Sequence, residues 1–195
     1  MSHQRRLVLG STSRYRAELL GRLGLAFEQC APGTPETERP GETPAARAMR
    51  LAIAKATDAG NGVADALVIG SDQVAELDGR LLEKPGAVEG AHAQLSACSG
   101  HIVSFHTALC VFDTASGQSR THLDLTRVHF RQLQREEISR YIEREQPLDC
   151  AGSFKCEGLG ISLFERIENN DPTALIGLPL IALARLLREA GIKVP

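Results

Sequence analysis

Short apolar runs alternate with amphipathic stretches along the chain. Residues 6–10 (Arg-Leu-Val-Leu-Gly) read as a buried strand that breaks at Gly10. Ser11-Thr12-Ser13 supplies cap hydroxyls for a helix over 14–23, with Ala17, Leu19, Leu20 and Leu23 at its apolar positions and Gly24 as terminator. A strand near 26–30 runs into a Pro/Gly/Glu-rich loop from Ala31 to Glu42. Thr43-Pro44 then opens a second helix to about Asp58, turning Ala48, Met49, Ala52 and Ala56 inward. The best buried strand is 65–74 (Asp-Ala-Leu-Val-Ile-Gly-Ser-Asp-Gln-Val). After a turn at Asp78-Gly79 come a short helix at 87–97 and two long strand-like runs, 101–113 and 119–131, joined as a hairpin by Thr114–Gln118. A polar-faced helix over 134–145, a Gly-rich segment over 151–158 and a strand at 159–164 follow. Asp171-Pro172 starts a short helical turn, and Pro179 starts the last helix, with Leu180, Leu183, Ala184, Leu187 and Ala190 on one face.

Interleaved helices and strands predict an α/β fold. The antiparallel hairpin makes the central β-sheet mixed, flanked by helices. At 195 residues the chain is expected to be a single domain over 1–195. A net charge of −2 argues against a protein that wraps nucleic-acid polymer, which usually carries a basic face, while leaving room for a small anionic ligand on a local cluster. The five cysteines show no C-x-x-C spacing, so they read as reduced, mostly buried thiols. The apolar run Leu7–Leu9 is too short for a signal core or a membrane span, and a cytoplasmic location is expected.

Three segments carry candidate chemistry. The first strand–turn–helix, through Ser11, Ser13 and Arg16, offers free amides, hydroxyls and a guanidinium suited to phosphate. Gly70-Ser71-Asp72-Gln73 lies at the carboxyl end of the strongest strand, where ligand crevices form in α/β sheets. Ala151-Gly152-Ser153-Phe154-Lys155-Cys156-Glu157-Gly158 allows close backbone approach to a flat ligand, or is a plain connection with an incidental Lys155–Glu157 pair. Lys55, Lys84 and Glu36 have, taken singly, the ordinary reading of solvated surface charges.

In this order the segments resemble the Maf family of nucleotide pyrophosphatases over nearly the whole chain, from Leu7 to Ala190. The carrying pieces are Gly10-Ser11-Thr12-Ser13-x-x-Arg16, the Ala31-Pro32 loop with Glu36, Lys55, Ile69-Gly70-Ser71-Asp72, Lys84-Pro85 and Ala151-Gly152-Ser153-Phe154. Two positions depart from the pattern: Arg14 stands where Pro is frequent, and Pro35 stands where a second carboxylate often precedes Glu36. The resemblance implies an ITPase-like nucleotide cleft, Asp72 as general base, and phosphate binding by Ser11, Arg16, Lys55 and Lys84. It also implies a divalent cation (Mg²⁺, Mn²⁺ or Co²⁺) near Glu36 and Asp72, although Pro35 weakens a two-carboxylate site within that loop.

Branches of the family differ at the positions of Tyr15, Gln73 and Glu157, and this set resembles the branch acting on 7-methyl-GTP. A carboxylate at Glu157 can accept guanine's two adjacent N–H donors, and an aromatic face at Tyr15 attracts a base made cationic by N7 methylation. Competing readings are a broader or dTTP/UTP-directed pyrophosphatase, a nucleotide-binding regulator of septum formation, and a purely structural domain. The expected partner is a small nucleotide, with no nucleic-acid polymer and no membrane. The 134–145 helix and the hairpin offer a surface for a homodimer.

Overall fold

The structure is a computed structural model that describes residues 5–194. Its seven-stranded sheet has the order β2-β1-β3-β5-β6-β7, with β4 pairing to β3. The strands are β1 (Arg6–Gly10), β2 (Glu28–Cys30), β3 (Ala66–Leu77), β4 (Arg80–Leu82), β5 (Ile102–Asp113), β6 (Gln118–Phe130) and β7 (Phe164–Glu168). Strand β1 runs parallel to β2 and β3, whereas β3–β4 and β6–β7 are antiparallel, so the sheet is mixed as expected. The helices are α1 (Arg14–Gly21), α2 (Pro44–Ala59), α3 (Val88–Cys98), α4 (Arg135–Glu145) and α5 (Leu180–Glu189).

The chain forms two compact units, and β3, β5 and β6 contribute residues to both. The first holds the chain up to Gln73, Thr107–Asp124, and the stretch from Asp171 onward. Within it, the two-residue period of the strands sorts side chains to two faces. Leu7, Leu9, Leu67, Ile69, Leu109 and Val111 pack with Leu19 and Leu20 of α1 and Leu183, Leu186 and Leu187 of α5. Val8, Ala66 and Val68 pack on the opposite face with Ala59 of α2.

Helix α2 approaches the sheet closely because glycines face it. The register pairs Leu9 with Ile69, and a glycine follows each of them, Gly10 and Gly70. A Cβ on Gly10 would stand 2.9 Å from Ala59 Cβ, and one on Gly70 would run into the backbone of Ala52 and Ala56. Thr43 caps α2 by accepting from the Ala46 amide, with Pro44 in its first turn. The inward stripe is Ala48, Leu51, Ala52, Lys55, Ala56 and Ala59. Met49, expected inside, is only half-buried because Leu51 lies closer to the centre of that stripe.

The second unit comprises Val74–His106 and Leu125–Asn170. Its core is a cluster of Phe105, Phe130, Phe154 and Phe164 in edge-to-face pairs, with centroids 4.8–5.6 Å apart. Phe154 is thus the anchor of the Gly-rich segment, which turns through positive φ at Gly152 and Ser153 and is tied to α3 by Ser153 Oγ donating to Gln94 Oε1 at 2.6 Å. The strand expected at 159–164 is instead a 3₁₀ turn, Leu159–Leu163, followed by β7. Leu159 N donates to the Glu145 carboxylate and Gly160 N to the Lys155 carbonyl, so these amides serve the turn. In α5, Ala182 and Leu186 are buried, and the predicted Ala184, like Ala190 just past the helix end, is only partly so.

Candidate active site

Strand parity sends Val68, Gly70 and Asp72 of β3 toward α2, and Lys55 sits on the buried stripe of that helix. Lys55 Nζ donates to Asp72 Oδ1 at 2.6 Å and pairs with Glu36 Oε1 at 2.6 Å. With Lys55 7% and Asp72 6% exposed, neither is a solvated surface charge. A buried ammonium is costly unless paired, and here two carboxylates meet it. Burial pushes the Asp72 carboxyl above its ordinary range and Glu36 adds to the rise, while Lys55 and Arg16 pull it down.

The first turn of α1 contributes to the same group. Ser11 is buried, and its Oγ accepts from the Ser13 amide at 3.1 Å and from Arg16 Nη1 at 3.4 Å. Ser13 caps the helix by accepting from the Arg16 amide. Burial lowers the Arg16 guanidinium from its ordinary value, and the negative charges of Asp72 and Glu36 oppose that shift. Ser11, Arg16, Glu36, Lys55 and Asp72 therefore assemble one mixed-charge centre just past the end of β1. Asp72, expected at the carboxyl end of its strand, lies instead within β3, which continues to Leu77 where it pairs with β4.

Gln73 faces the other way. Its Nε2 donates to Thr107 Oγ1 at 2.9 Å, Ala174 O at 3.0 Å and Leu175 O at 3.1 Å. With the amide hydrogens engaged there, the group it offers a ligand is its carbonyl oxygen, an acceptor. Tyr15 is half-buried in the first turn of α1, with its hydroxyl accepting from Arg14 Nη2 at 2.9 Å.

The sequence did not reveal the role of residues 171–178. Buried Asp171 accepts from Thr173 N, Thr173 Oγ1 and Ile181 N, and Thr173 Oγ1 accepts from Leu180 N. Asp171 and Thr173 together thus satisfy the first amides of α5, whose cap residue Pro179 provides no side-chain bond. The carbonyls so fixed hold the site: Gly177 O accepts from Arg16 Nε at 2.9 Å and Ser71 Oγ at 2.9 Å, while those of Ala174 and Leu175 hold Gln73. Gly177 adopts φ +122°, a conformation that other residues rarely adopt. The available signals were Asp171 two residues before Thr173, and a Gly preceding Leu-Pro.

Lys84 and Glu157 belong to the second unit and are both exposed. The suggested Lys155–Glu157 pair is not what Lys155 forms: its Nζ donates to Glu145 O at 2.9 Å at the C-terminal end of α4. This is the end of a helix where a cation is favoured. Glu157 accepts from Cys156 Sγ at 3.5 Å.

Among the described residues, no group of three or more His, Cys, Asp or Glu side chains is placed to hold a metal ion. Glu36 and Asp72 are the donor type that suits a cation taking its remaining ligands from a substrate, since Mg²⁺ is commonly held by one or two carboxylates plus phosphate oxygens, and here the Lys55 ammonium lies against both of them. Both carboxylates lie 2.6 Å from one ammonium nitrogen, so their nearest oxygens are separated by no more than twice that distance. No described helix is long and apolar enough to cross a membrane.

Comparison with known proteins identifies the family. The 7-methyl-GTP pyrophosphatase of Xanthomonas axonopodis pv. citri is 56% identical over 191 residues, covering 97% of this chain and 99% of that protein. The 7-methyl-GTP pyrophosphatases of Burkholderia thailandensis and Nitrosococcus oceani are 54% and 52% identical, covering 95% and 96% of this chain and 88% and 94% of their own. A crystal structure of a nucleoside-triphosphatase / dITP/XTP pyrophosphatase from Mycobacterium abscessus overlaps 66% of this chain and 75% of its own, at 14% identity and a TM-score of 0.41. The model of the Maf-like protein family matches residues 6–190, and the chain belongs to that family.

Proposed function

We propose that this protein is a nucleoside triphosphate pyrophosphatase that converts 7-methyl-GTP and water to 7-methyl-GMP and diphosphate. The observation that carries the reading is the buried Asp72 carboxylate within β3, held by Lys55 near Arg16 and Ser11. Burial raises Asp72 above its ordinary value, which makes the ionised carboxylate a better proton acceptor. It takes a proton as water oxygen bonds to the α-phosphorus, and the bond from that phosphorus to the bridging oxygen breaks to release diphosphate. Lys55, Arg16 and Lys84 offset the triphosphate charge, and the Ser11 turn orients its oxygens. Glu36 and Asp72 would hold Mg²⁺, Mn²⁺ or Co²⁺, which when bound supplies further charge neutralisation at the phosphates. The two units are read as one functional domain, and the unpaired cysteines suit a reducing, cytoplasmic setting.

Base choice is assigned to Glu157, Gln73 and Tyr15. Glu157 accepts the paired N–H donors of guanine, Gln73 presents a carbonyl acceptor, and Tyr15 stacks on the cationic ring. A pyrimidine carbonyl facing Glu157 would leave the carboxylate unpaired. Glu157→Gln is expected to lower kcat/KM for 7-methyl-GTP by about 10- to 100-fold relative to dTTP and UTP, the worth of one charge-assisted hydrogen bond. An unchanged ratio across those three substrates would place base readout elsewhere.

A further inference from the structure

The ring assigned to stacking already carries a cation. The Arg14 guanidinium carbon lies 4.8 Å from the Tyr15 ring centroid, and Arg14 Nη2 donates to Tyr15 Oη at 2.9 Å. Adjacent residues on a helix do not face one another, so Arg14 reaches the ring only by folding its long side chain across it. The helix itself does not favour a cation there. Arg14 is the first residue of α1, at the positive end of the helix dipole, and the first turn contains no acidic residue. The π face of Tyr15 is a counterweight to that unfavourable placement.

From this geometry we propose that Arg14 is a specificity-determining residue that occupies the Tyr15 face in the free enzyme and competes with the incoming base for it. The proposal rests on Tyr15 being the stacking residue. A guanidinium and a 7-methylated purine are drawn to the same electron-rich face, and one displaces the other. Arg14 must leave the ring before the base is seated, so its contact weakens base binding by the strength of one exposed cation–π pair. Because Arg14 is exposed, its truncation leaves the core of the first unit untouched.

The test measures the affinity of 7-methylguanosine by calorimetry for the wild type, Arg14→Ala, Tyr15→Leu and the double variant. The nucleoside has no phosphate, so the lost charge of Arg14 cannot act through a triphosphate. Arg14→Ala is expected to tighten binding about two- to fivefold with Tyr15 present, and to change nothing in the Tyr15→Leu background. Equal or weaker binding by Arg14→Ala overturns the proposal. So does equal tightening in both backgrounds, which would mean simple repulsion of the cationic base. If the double variant binds the nucleoside as tightly as Arg14→Ala does, the stacking assignment itself fails. If the double variant binds more weakly than Arg14→Ala but Arg14→Ala does not tighten binding over the wild type, the assignment stands and only the competition is lost.

Discussion

Asp72→Asn is expected to lower kcat by about 100- to 10,000-fold, the usual contribution of a positioned general base, while folding and nucleotide binding persist. Asparagine has nearly the same shape and keeps an oxygen that can accept from Lys55. The Lys55 ammonium also retains Glu36 at 2.6 Å, so no buried cation is left unpaired. What disappears is the capacity to take a proton from water. Calorimetry with 7-methyl-GTP alongside single-turnover kinetics separates the two effects, and near-wild-type kcat in this variant would remove Asp72 from the chemistry. The pH profile provides a second check. Burial raises Asp72, so the base is protonated and inactive at low pH, and the acid limb of kcat/KM lies above the ordinary aspartate value of about 4. An acid limb at that ordinary value, or the same limb retained in Asp72→Asn, would contradict the assignment.

Gly70→Ala should have the largest effect on the fold around the site. The added Cβ would meet the backbone of Ala52 and Ala56 and the Cβ of Ala56, and a helix backbone cannot yield as the end of a flexible side chain can. Helix α2 must lift, at a cost of about 3 kcal/mol, which in a chain of this size lowers Tm by about 6–12 °C. Lys55 is carried on the same helix, so activity should fall further than stability. At temperatures where the variant is still folded, kcat/KM is expected to drop while the far-ultraviolet circular dichroism spectrum stays native. A variant with wild-type Tm and turnover would show that close packing of α2 does not set the Lys55–Asp72 contact.

Much of this was legible in the sequence because several local signals agreed. The apolar runs leading to Gly10 and to Gly70-Ser71-Asp72 are buried, parallel neighbouring strands, although the second continues past Asp72 to Leu77. Lys55 could have been recognised as buried from its spacing with Ala48, Ala52 and Ala59, which places it on the inward stripe of α2. Residue type concealed it, since lysine is normally solvated. The 171–178 segment was hidden for a different reason. Its role lies in the carbonyl oxygens of Ala174, Leu175 and Gly177, and backbone acceptors leave no mark in side-chain identity. The 159–164 stretch misled because an apolar run suits a strand and a 3₁₀ turn equally well, and the Glu145 carboxylate that captures Leu159 N comes from the distant end of α4. The phenylalanine cluster explains why a glycine-rich segment is still well anchored: Phe154 is fixed by three other rings, and the flanking residues turn around it.

The most direct measurement is a side-by-side assay of 7-methyl-GTP, GTP, ITP, dTTP and UTP with Mg²⁺, Mn²⁺ or Co²⁺, following diphosphate, orthophosphate and the nucleotide product. The expected result is diphosphate formed in equal amount to 7-methyl-GMP, with 7-methyl-GTP giving the highest kcat/KM. Orthophosphate with a nucleoside diphosphate as products, or a preference for dTTP and UTP over 7-methyl-GTP, would contradict it.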